Sequence, residues 1–309
     1  MEKNMKDILN SIQDECRRYT ALGKVATYIP ELAKANPEDF GITVIDSDGA
    51  SHSIGDYDVK FTMQSVVKPM IFLLALLDRG ADAVRALVGV EATGKPFDTF
   101  NYSDRALTGE HINPMVNAGA IALLTLIDGD SYEKKFDRLL NFTRKLANNE
   151  KLDVDEAVYM SESATGNKNR ALAYMLKAYG MIDCNVEEVV DIYFRACSIR
   201  VDTRDLAHIA RVLSLHGEDP DTHEQLVSRE DARYVNAILA ICGMYDGSGE
   251  FAFKVGVPAK SGVGGGIMAV VPGRMGIGIY SPSLDPKGNS SAGVRALELL
   301  NGKLDLSVF

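Results

Sequence analysis

The sequence has few cysteines and histidines, and none stands at a spacing typical of a metal site. The four cysteines lie far apart, with no CxxC pair and no histidine at zinc-ligand spacing: Cys16, Cys184, Cys197 and Cys242. The five histidines form no HExxH cluster: His52, His111, His208, His216 and His223. We therefore expect free thiols in a reducing cytosol and no structural metal.

Long apolar runs and net positive charge are also missing. The longest apolar run, residues 70–77, is shorter than the roughly 20 residues that cross a bilayer. The charged amino terminus lacks the cationic and then apolar pattern of a signal sequence. The formal net charge of -10 opposes attraction to phosphate backbones and anionic membranes. We expect neither nucleic acid nor membrane as a partner, and a cytoplasmic location.

What is present is the composition of an ordinary globular protein. The 309 residues, 46% of them hydrophobic and 25% charged, can bury a sizeable core in one large domain or two interleaved ones. Helical spacing of apolar residues runs from residue 5 to about residue 35. Residues 42–45 and 51–56 then flank Asp46-Ser47-Asp48-Gly49, whose Asp-Gly pair is typical of a hairpin turn.

Three more strands are predicted near the carboxyl terminus, at residues 251–255, 266–271 and 275–280, followed by a helix with Ser290 or Ser291 as N-cap. Because a two-stranded hairpin is marginal by itself, we expect all five strands to form one sheet. The segment between Pro69 and about Leu239 has helical periodicity without a fixed repeat.

These patterns predict an α/β (α+β) fold. An antiparallel sheet of about five strands would be covered by the terminal helices, and an all-helical subdomain would be inserted into it. The expected subdomains are 1–67 plus 245–309 for the sheet and 68–244 for the helical part, with an active site between them.

Ser65 and Lys68 are the first candidate catalytic residues, because positions i and i+3 share a helix face. Pro69 is tolerated only in the first turn of a helix, so Ser65 is expected at or just before the helix start. There the helix dipole favours an alkoxide over an ammonium. A lysine kept neutral by desolvation can act as the base for a serine nucleophile.

A second Ser-x-x-Lys pair, Ser131 and Lys134, lies in a charged stretch and is interpreted as a solvated helix start. Lys260-Ser261-Gly262 enters a glycine-rich, strand-like run. If that strand passes beside the helix start at Ser65, Gly262 permits close backbone approach, and the N–H groups of Val263 and Ser65 could form an oxyanion hole. Otherwise Lys260 is a solvated lysine at the start of a strand.

The arrangement resembles the serine β-lactamase and penicillin-binding-protein superfamily, which has Ser-x-x-Lys at a helix start and Lys-Ser-Gly on a later strand. The chain departs from that pattern at Ser103-Asp104-Arg105, where the superfamily has Ser-Asp-Asn. A closer resemblance is to the bacterial-type serine-dependent glutaminases, which share this β-lactamase/transpeptidase-like fold. That resemblance is carried, in order along the chain, by residues 28–32, 64–69, 113–121, 161–169, 193–199, 242–246 and 256–263.

The resemblance implies hydrolysis of L-glutamine to L-glutamate and ammonia, without a metal or an organic cofactor. Ser65 would be the nucleophile, Lys68 its base, Tyr245 a proton relay and Lys260 an electrostatic support. The substrate contacts that it implies are Tyr28, Ser65, Asn117, Glu162, Asn169, Tyr193, Tyr245 and Val263. A homo-oligomer, dimer or tetramer, is likewise an expectation from the family alone.

The residue types suit a zwitterionic substrate. Glu162 could hold an α-ammonium group, and Asn117, Asn169 and Tyr193 could donate hydrogen bonds to an α-carboxylate. Each also has an ordinary structural interpretation, as a helix cap, a locally bonded helix residue or a core aromatic residue. Two alternatives stay open: another cytosolic serine amidase or esterase of the same fold, and a non-catalytic glutamine-binding module.

Overall fold

A computed structural model describes residues 4–92 and 112–309. Ser103-Asp104-Arg105 and His111 lie outside the described residues. The α-helices are α1 (Met5–Thr20), α2 (Lys68–Leu87), α3 (Asn117–Leu124), α4 (Tyr132–Ala147), α5 (Glu156–Thr165), α6 (Asn167–Ala178), α7 (Val186–Cys197), α8 (Thr203–Ser214), α9 (Arg229–Cys242), α10 (Ser248–Lys254) and α11 (Ser291–Leu304). The strands are β1 (Gly41–Ile45), β2 (Ser51–Gly55), β3 (Phe61–Thr62), β4 (Asp153–Val154), β5 (Ile199–Val201), β6 (Ala259–Ser261), β7 (Gly266–Val271) and β8 (Met275–Tyr280).

The early hairpin and the late strands form one five-stranded antiparallel sheet in the order β2-β1-β8-β7-β6. The prediction of about five antiparallel strands is confirmed. Gly49 in the β1–β2 turn has a φ of 80°, the left-handed backbone that favours glycine. The central strand β8 pairs with β1 on one side and β7 on the other, so the hairpin depends on the distant carboxyl-terminal strands for its partners.

One predicted strand is wrong. Residues 251–255 belong mainly to helix α10, and the third late strand is instead β6. The apolar side chains of Phe251, Phe253 and Val255 alternate as in a strand, but Phe251 and Val255 are also four residues apart, one helical turn. Those two are buried, whereas Phe253 is 93% exposed. Helical burial of the i,i+4 pair therefore prevails over the strand-like alternation.

The two terminal helices and α8 cover opposite faces of the sheet. Helices α1 and α11 pack against each other and share one apolar cluster with β1, β7 and β8. Helix α8 lies on the other face, against β1, β7 and β8. A Cβ atom at Gly278 would be 2.0 Å from Thr203 O, and one at Gly276 would be 2.2 Å from Arg211 N. The alternating glycines of β8 thus allow α8 to touch the strand backbone.

The middle of the chain is helical, as predicted, and has its own large apolar cluster. The periodicity did not predict α5, which is rich in serine and acidic residues, nor the small sheet in the order β3-β5-β4. Helix α8 lies within residues 68–244 and nevertheless covers the sheet. The division at 67/68 and 244/245 therefore remains a prediction. Within the two described ranges, every helix is too short or too polar to span a bilayer.

Candidate active site

Ser65 and Lys68 lie where a short 3₁₀ helix, Gln64–Val67, leads into α2. Pro69 occupies the first turn of α2, where its missing N–H costs no intrahelical bond. Lys68 Nζ donates a hydrogen bond of 2.9 Å to Ser65 Oγ. Lys68 is fully buried and Ser65 is 7% exposed. The sequence neighbours Val66, Val67 and Met70 are buried too, so the pair stands on an apolar base.

The segment after β6 runs directly beside this helix start. A Cβ atom at Gly262 would lie 2.7 Å from Met63 O, and one at Gly264 would lie 2.9 Å from Thr62 O. A side chain at either position would push the two segments apart. The two glycines therefore bring Val263, between them in sequence, next to the nucleophile position, which is the arrangement that an oxyanion hole requires.

A cavity of about 420 Å³ opens above Ser65. Seven of the eight predicted substrate contacts line it: Tyr28, Ser65, Asn117, Glu162, Asn169, Tyr193 and Val263. Residues that the sequence analysis missed also line it, among them Gln64, Lys168 and Cys197. The cavity is large enough for a small amino acid, and residues from distant parts of the chain supply its polar groups.

A chain of hydrogen bonds connects Lys68 with the cavity wall. Its Nζ donates to Asn117 Oδ1 at 2.7 Å, and Tyr193 Oη donates to the same oxygen at 3.2 Å. Asn117 Nδ2 in turn donates to Asn169 Oδ1 at 2.9 Å. Both acceptors of Lys68, on Ser65 and Asn117, are neutral. Burial therefore lowers the pKa of Lys68 to about 8, with Cys197 and Glu162 opposing the change.

Glu162 supplies a carboxylate to the cavity. It is 5% exposed and accepts a 3.3 Å hydrogen bond from Gln64 Nε2. Burial raises the pKa of Glu162 to about 8, against the effects of Gln64, Lys68 and Cys197. A cationic group of a ligand would replace the lost hydration and favour the ionised carboxylate.

Tyr245 reaches the site from a 3₁₀ turn, Tyr245–Gly247, with a left-handed φ of 54°. Burial raises the pKa of Tyr245 far above its usual range, while hydrogen bonds with Ser65 and the Val263 backbone oppose the change. The phenol is therefore protonated beside the nucleophile at neutral pH.

Lys260 is not among the described residues that line the cavity. Its Nζ is 4.5 Å from the centroid of the Tyr245 ring and donates to Gly243 O and Ser261 O, at 3.1 and 2.7 Å. Burial, and secondarily the charge of Lys68, holds the pKa of Lys260 well below its usual value. Lys260 is thus buried and supports Tyr245, so the interpretation as a solvated lysine is wrong.

The second Ser-x-x-Lys pair is a helix cap. Ser131 is the N-cap of α4, and its Oγ accepts a hydrogen bond of 3.3 Å from Lys134 N. Lys134 Nζ is exposed and bonds to Asp130 at 2.7 Å. Ser131 therefore offers a matched serine outside the cavity.

The structure also brings together a group of possible metal ligands that sequence spacing did not reveal. Ligand atoms of His208, Asp219 and Asp221 lie within 4.8 Å of one another. Their donors and acceptors already bond within the protein: His208 Nδ1 to Leu146 O at 2.8 Å, and Asp219 Oδ1 to the N–H groups of residues 221 and 222. We interpret the group as a set of hydrogen bonds that hold the loop containing Asp219 and Asp221 on α8.

The glutaminase family model matches residues 23–309. The chain belongs to the glutaminase family. It is 50% identical to glutaminase 2 of Clostridium perfringens over 305 residues, which cover 99% of this chain and 100% of that protein.

Two solved structures share the fold. One is a covalent complex between a Bacillus subtilis glutaminase and 5-oxo-L-norleucine, formed by reaction with 6-diazo-5-oxo-L-norleucine. It is 37% identical, has a TM-score of 0.91, and the match covers 99% of this chain and 100% of that one. The other, Mglu in its glutamate form, is 38% identical with a TM-score of 0.93, and the match covers 100% of this chain and 70% of that one. This glutaminase therefore has the β-lactamase-like fold.

Proposed function

We propose that the protein hydrolyses the side-chain amide of L-glutamine, giving L-glutamate and ammonia through a glutamyl-serine intermediate. The observation that carries the proposal is the buried contact of 2.9 Å between Lys68 Nζ and Ser65 Oγ at the cavity. A desolvated lysine with neutral acceptors is a suitable base for a serine. Family membership and the ligands of the related structures support glutamine as the substrate.

The cavity can recognise both charges of the amino acid. Glu162 would bind the α-ammonium group, because it is the carboxylate among the described residues that line the cavity. Asn117 and Asn169 would bind the α-carboxylate through their remaining amide N–H groups, and Tyr193 would turn to it the O–H that it gives to Asn117 Oδ1 in the free site. Tyr28, which is 56% exposed, would close over the bound substrate. These contacts leave the side-chain amide to point at Ser65.

In the acylation step, Ser65 Oγ attacks the amide carbon while neutral Lys68 accepts the hydroxyl proton. The carbonyl electron pair moves to oxygen, and the N–H groups of Ser65 and Val263 stabilise the resulting oxyanion. The Val263 backbone and the Ser65 side chain both lie close enough to the Tyr245 hydroxyl to affect its pKa, so Val263 is near the reacting group.

The tetrahedral intermediate then collapses, and its C–N bond breaks. The leaving nitrogen takes a proton from the Lys68 ammonium, directly or through the Tyr245 hydroxyl, and departs as ammonia. Lys68 is neutral again and accepts a proton from water as the water attacks the glutamyl ester. The ester bond then breaks, Ser65 Oγ takes that proton back from Lys68, and L-glutamate is released. Lys260 supports the relay by packing against the Tyr245 ring, with its Nζ 4.5 Å from the ring centroid.

We also infer a cytoplasmic homo-oligomer, a dimer or a tetramer, from the family resemblance. The net charge of -10 opposes binding to anionic membranes and nucleic acids, which supports the cytoplasmic location. Light scattering on the purified chain distinguishes a dimer or a tetramer from a monomer, and a monomer at all concentrations would refute the oligomer.

A comparison of three substrates tests the proposed activity. We expect wild-type protein to release ammonia from L-glutamine, and at least tenfold less efficiently from L-asparagine, whose amide is one methylene closer to its charges and cannot reach Ser65 when both are bound. Hydrolysis of a nitrophenyl ester without ammonia release from L-glutamine would indicate a different serine hydrolase. Binding of L-glutamine without turnover would indicate a binding module.

A further inference from the structure

Tyr245, the proposed proton relay, has an unfavourable backbone conformation. Its φ of 54° lies in the left-handed region, which a bulky residue rarely adopts and which persists only where the surroundings hold it. The Tyr245 ring packs against a small apolar cluster that contains Val263, a residue of the cavity wall. Whatever holds the backbone of this turn therefore determines where the relay hydroxyl lies.

A single buried hydroxyl bridges this part of the backbone. Ser248, the first residue of α10, is 5% exposed. Its Oγ accepts a hydrogen bond of 3.0 Å from Met244 N and donates one of 2.8 Å to Tyr245 O. The φ and ψ torsions of Met244 and Tyr245 lie between those two atoms. The Ser248 side chain thus restrains the left-handed turn directly.

The other polar groups of the turn have further partners. Met244 O accepts a hydrogen bond of 3.3 Å from Asn289 Nδ2, and Tyr245 O also accepts one from the backbone N–H of Ser248. The N–H of Met244 instead depends on Ser248 Oγ, and Met244 is 1% exposed. Loss of this hydroxyl would remove the acceptor of a buried donor, which favours rearrangement of the turn.

We propose that Ser248 is a positioning residue that holds the Tyr245 hydroxyl in place for proton delivery to the leaving ammonia. Tyr245 gives its phenolic proton to the nitrogen of the tetrahedral intermediate as the C–N bond breaks, and it takes a proton from the Lys68 ammonium. The inference rests on the proposed function and assigns the proton route through Tyr245 in place of direct transfer from Lys68. Within the described part of the chain, the cavity lining does not include Ser248, so its effect passes through Tyr245.

The Ser248→Ala variant removes the bridge and leaves every residue of the cavity lining in place. We expect kcat and kcat/KM for L-glutamine to fall together, about five- to fiftyfold, because a displaced proton donor slows C–N cleavage. KM should change less than about threefold. Ser248→Thr keeps the hydroxyl and should recover kcat to within about threefold of the wild type. Ser248→Cys, with a weaker donor and acceptor, should give an intermediate loss and replaces the alanine variant if that variant does not fold.

A double-mutant cycle with Tyr245→Phe tests whether Ser248 acts through the relay hydroxyl. Tyr245→Phe alone should lower kcat about 100-fold or more, because it removes the proton donor. In that background, Ser248→Ala should lower kcat less than about twofold further, since the hydroxyl that it positions is already gone. Accumulation of ammonia over hours measures the slow variants, and circular dichroism checks that each is folded.

Ser214→Ala is the matched control for this cycle. Ser214 is a fully buried serine at the end of α8, and its Oγ also makes two hydrogen bonds, both of 2.9 Å, to Nη1 and O of Arg211. The control should leave kcat within about twofold in both backgrounds.

The outcomes separate this inference from the proposed function. An equal loss from Ser248→Ala in both backgrounds, a rise in KM at constant kcat, or unchanged kinetics would each overturn the inference while the glutaminase activity stands. Lack of recovery in a folded Ser248→Thr would overturn it as well. So would a fully active Tyr245→Phe, because the proton would then come directly from Lys68. A wild-type protein that releases no ammonia from L-glutamine would instead refute the proposed function, and the inference with it.

Discussion

At the scale of single residues, the protonation state of Lys68 decides whether the site can react. An ammonium buried between two neutral oxygen acceptors loses its hydration without gaining a directly paired carboxylate. This loss of hydration lowers the pKa of Lys68 to about 8. Ser65 and Lys68 could be selected from the sequence because of Pro69 and the apolar neighbours, but their burial could not.

This state predicts the pH dependence of the reaction. The base acts when neutral, and a lysine pKa lowered to about 8 means that its neutral fraction grows as the pH rises through that value. Glu162, whose raised pKa is also about 8, must be ionised and changes in the same direction. We therefore expect kcat/KM for L-glutamine to rise between about pH 6 and about pH 9.

Lys68→Arg is the informative variant for that profile, because the guanidinium group keeps the positive charge and stays protonated at every pH tested. It should lose activity by about 100-fold or more, since the general base is absent. A pH-independent kcat/KM in the wild type, or an active Lys68→Arg protein, would contradict the assignment of Lys68 as the base.

Gln64 and Cys197 show why part of the site escaped sequence reasoning. Gln64 adjoins Ser65 and has a left-handed φ of 48°, and Cys197 follows Tyr193 by one turn. No local pattern marks either as a pocket residue, because their places in the cavity wall depend on how α2, α5 and α7 pack. The available sequence signal was position: Gln64 is adjacent to Ser65, and Cys197 is four residues after Tyr193 on the same helix.

At the scale of elements, the contact between α8 and β8 brings a helix directly against the backbone of the central strand. The early hairpin could be predicted because its Asp-Gly turn is local. The α10 helix could not, because an apolar residue at every second position of a short segment satisfies both the helical and the strand period. The close packing of α8 on β8 also lay beyond sequence periodicity, since it depends on Gly276 and Gly278 facing another element.

Replacement of Gly278 by alanine tests this contact. The new Cβ would meet Thr203 O at 2.0 Å, so α8 would have to shift, and we expect a loss of about 1–3 kcal/mol in the free energy of unfolding. Gly302→Ala in α11 is the matched control, with no atom within 4 Å of the new Cβ and a gain in helix propensity. Denaturant unfolding followed by circular dichroism measures both. Unchanged stability in Gly278→Ala would show that α8 does not lie against β8 this closely.

At the scale of the whole molecule, two parts of the chain supply the active site. We propose the boundaries 1–67 plus 245–309 and 68–244. The first part provides Ser65, Tyr245 and Val263, and the second provides Lys68 and Glu162. Helix α8 joins the two parts because it belongs to the helical part and covers the sheet.

Denaturant unfolding of Gly278→Ala also tests whether the two parts unfold together. If they unfold as one unit, the variant shifts a single unfolding transition. If they unfold separately, it shifts only one of two transitions.

Composition and periodicity could not predict that these two parts meet at one cavity. Tyr28, Asn117, Glu162 and Val263 are separated by long stretches of sequence, and only the family resemblance grouped them before the fold was known. The tertiary structure adds the neutral hydrogen-bond partners of Lys68 and the position of Lys260 beneath Tyr245.

The most direct test of the central claim, that Ser65 is the nucleophile, is the site of covalent labelling by 6-diazo-5-oxo-L-norleucine, located by peptide mass spectrometry. We predict a single adduct on Ser65 in the wild type and in the capping-serine control Ser131→Ala, and no adduct together with near-total loss of ammonia release in Ser65→Ala. An adduct on another residue, or a Ser65→Ala protein that still releases ammonia from L-glutamine, would contradict the account.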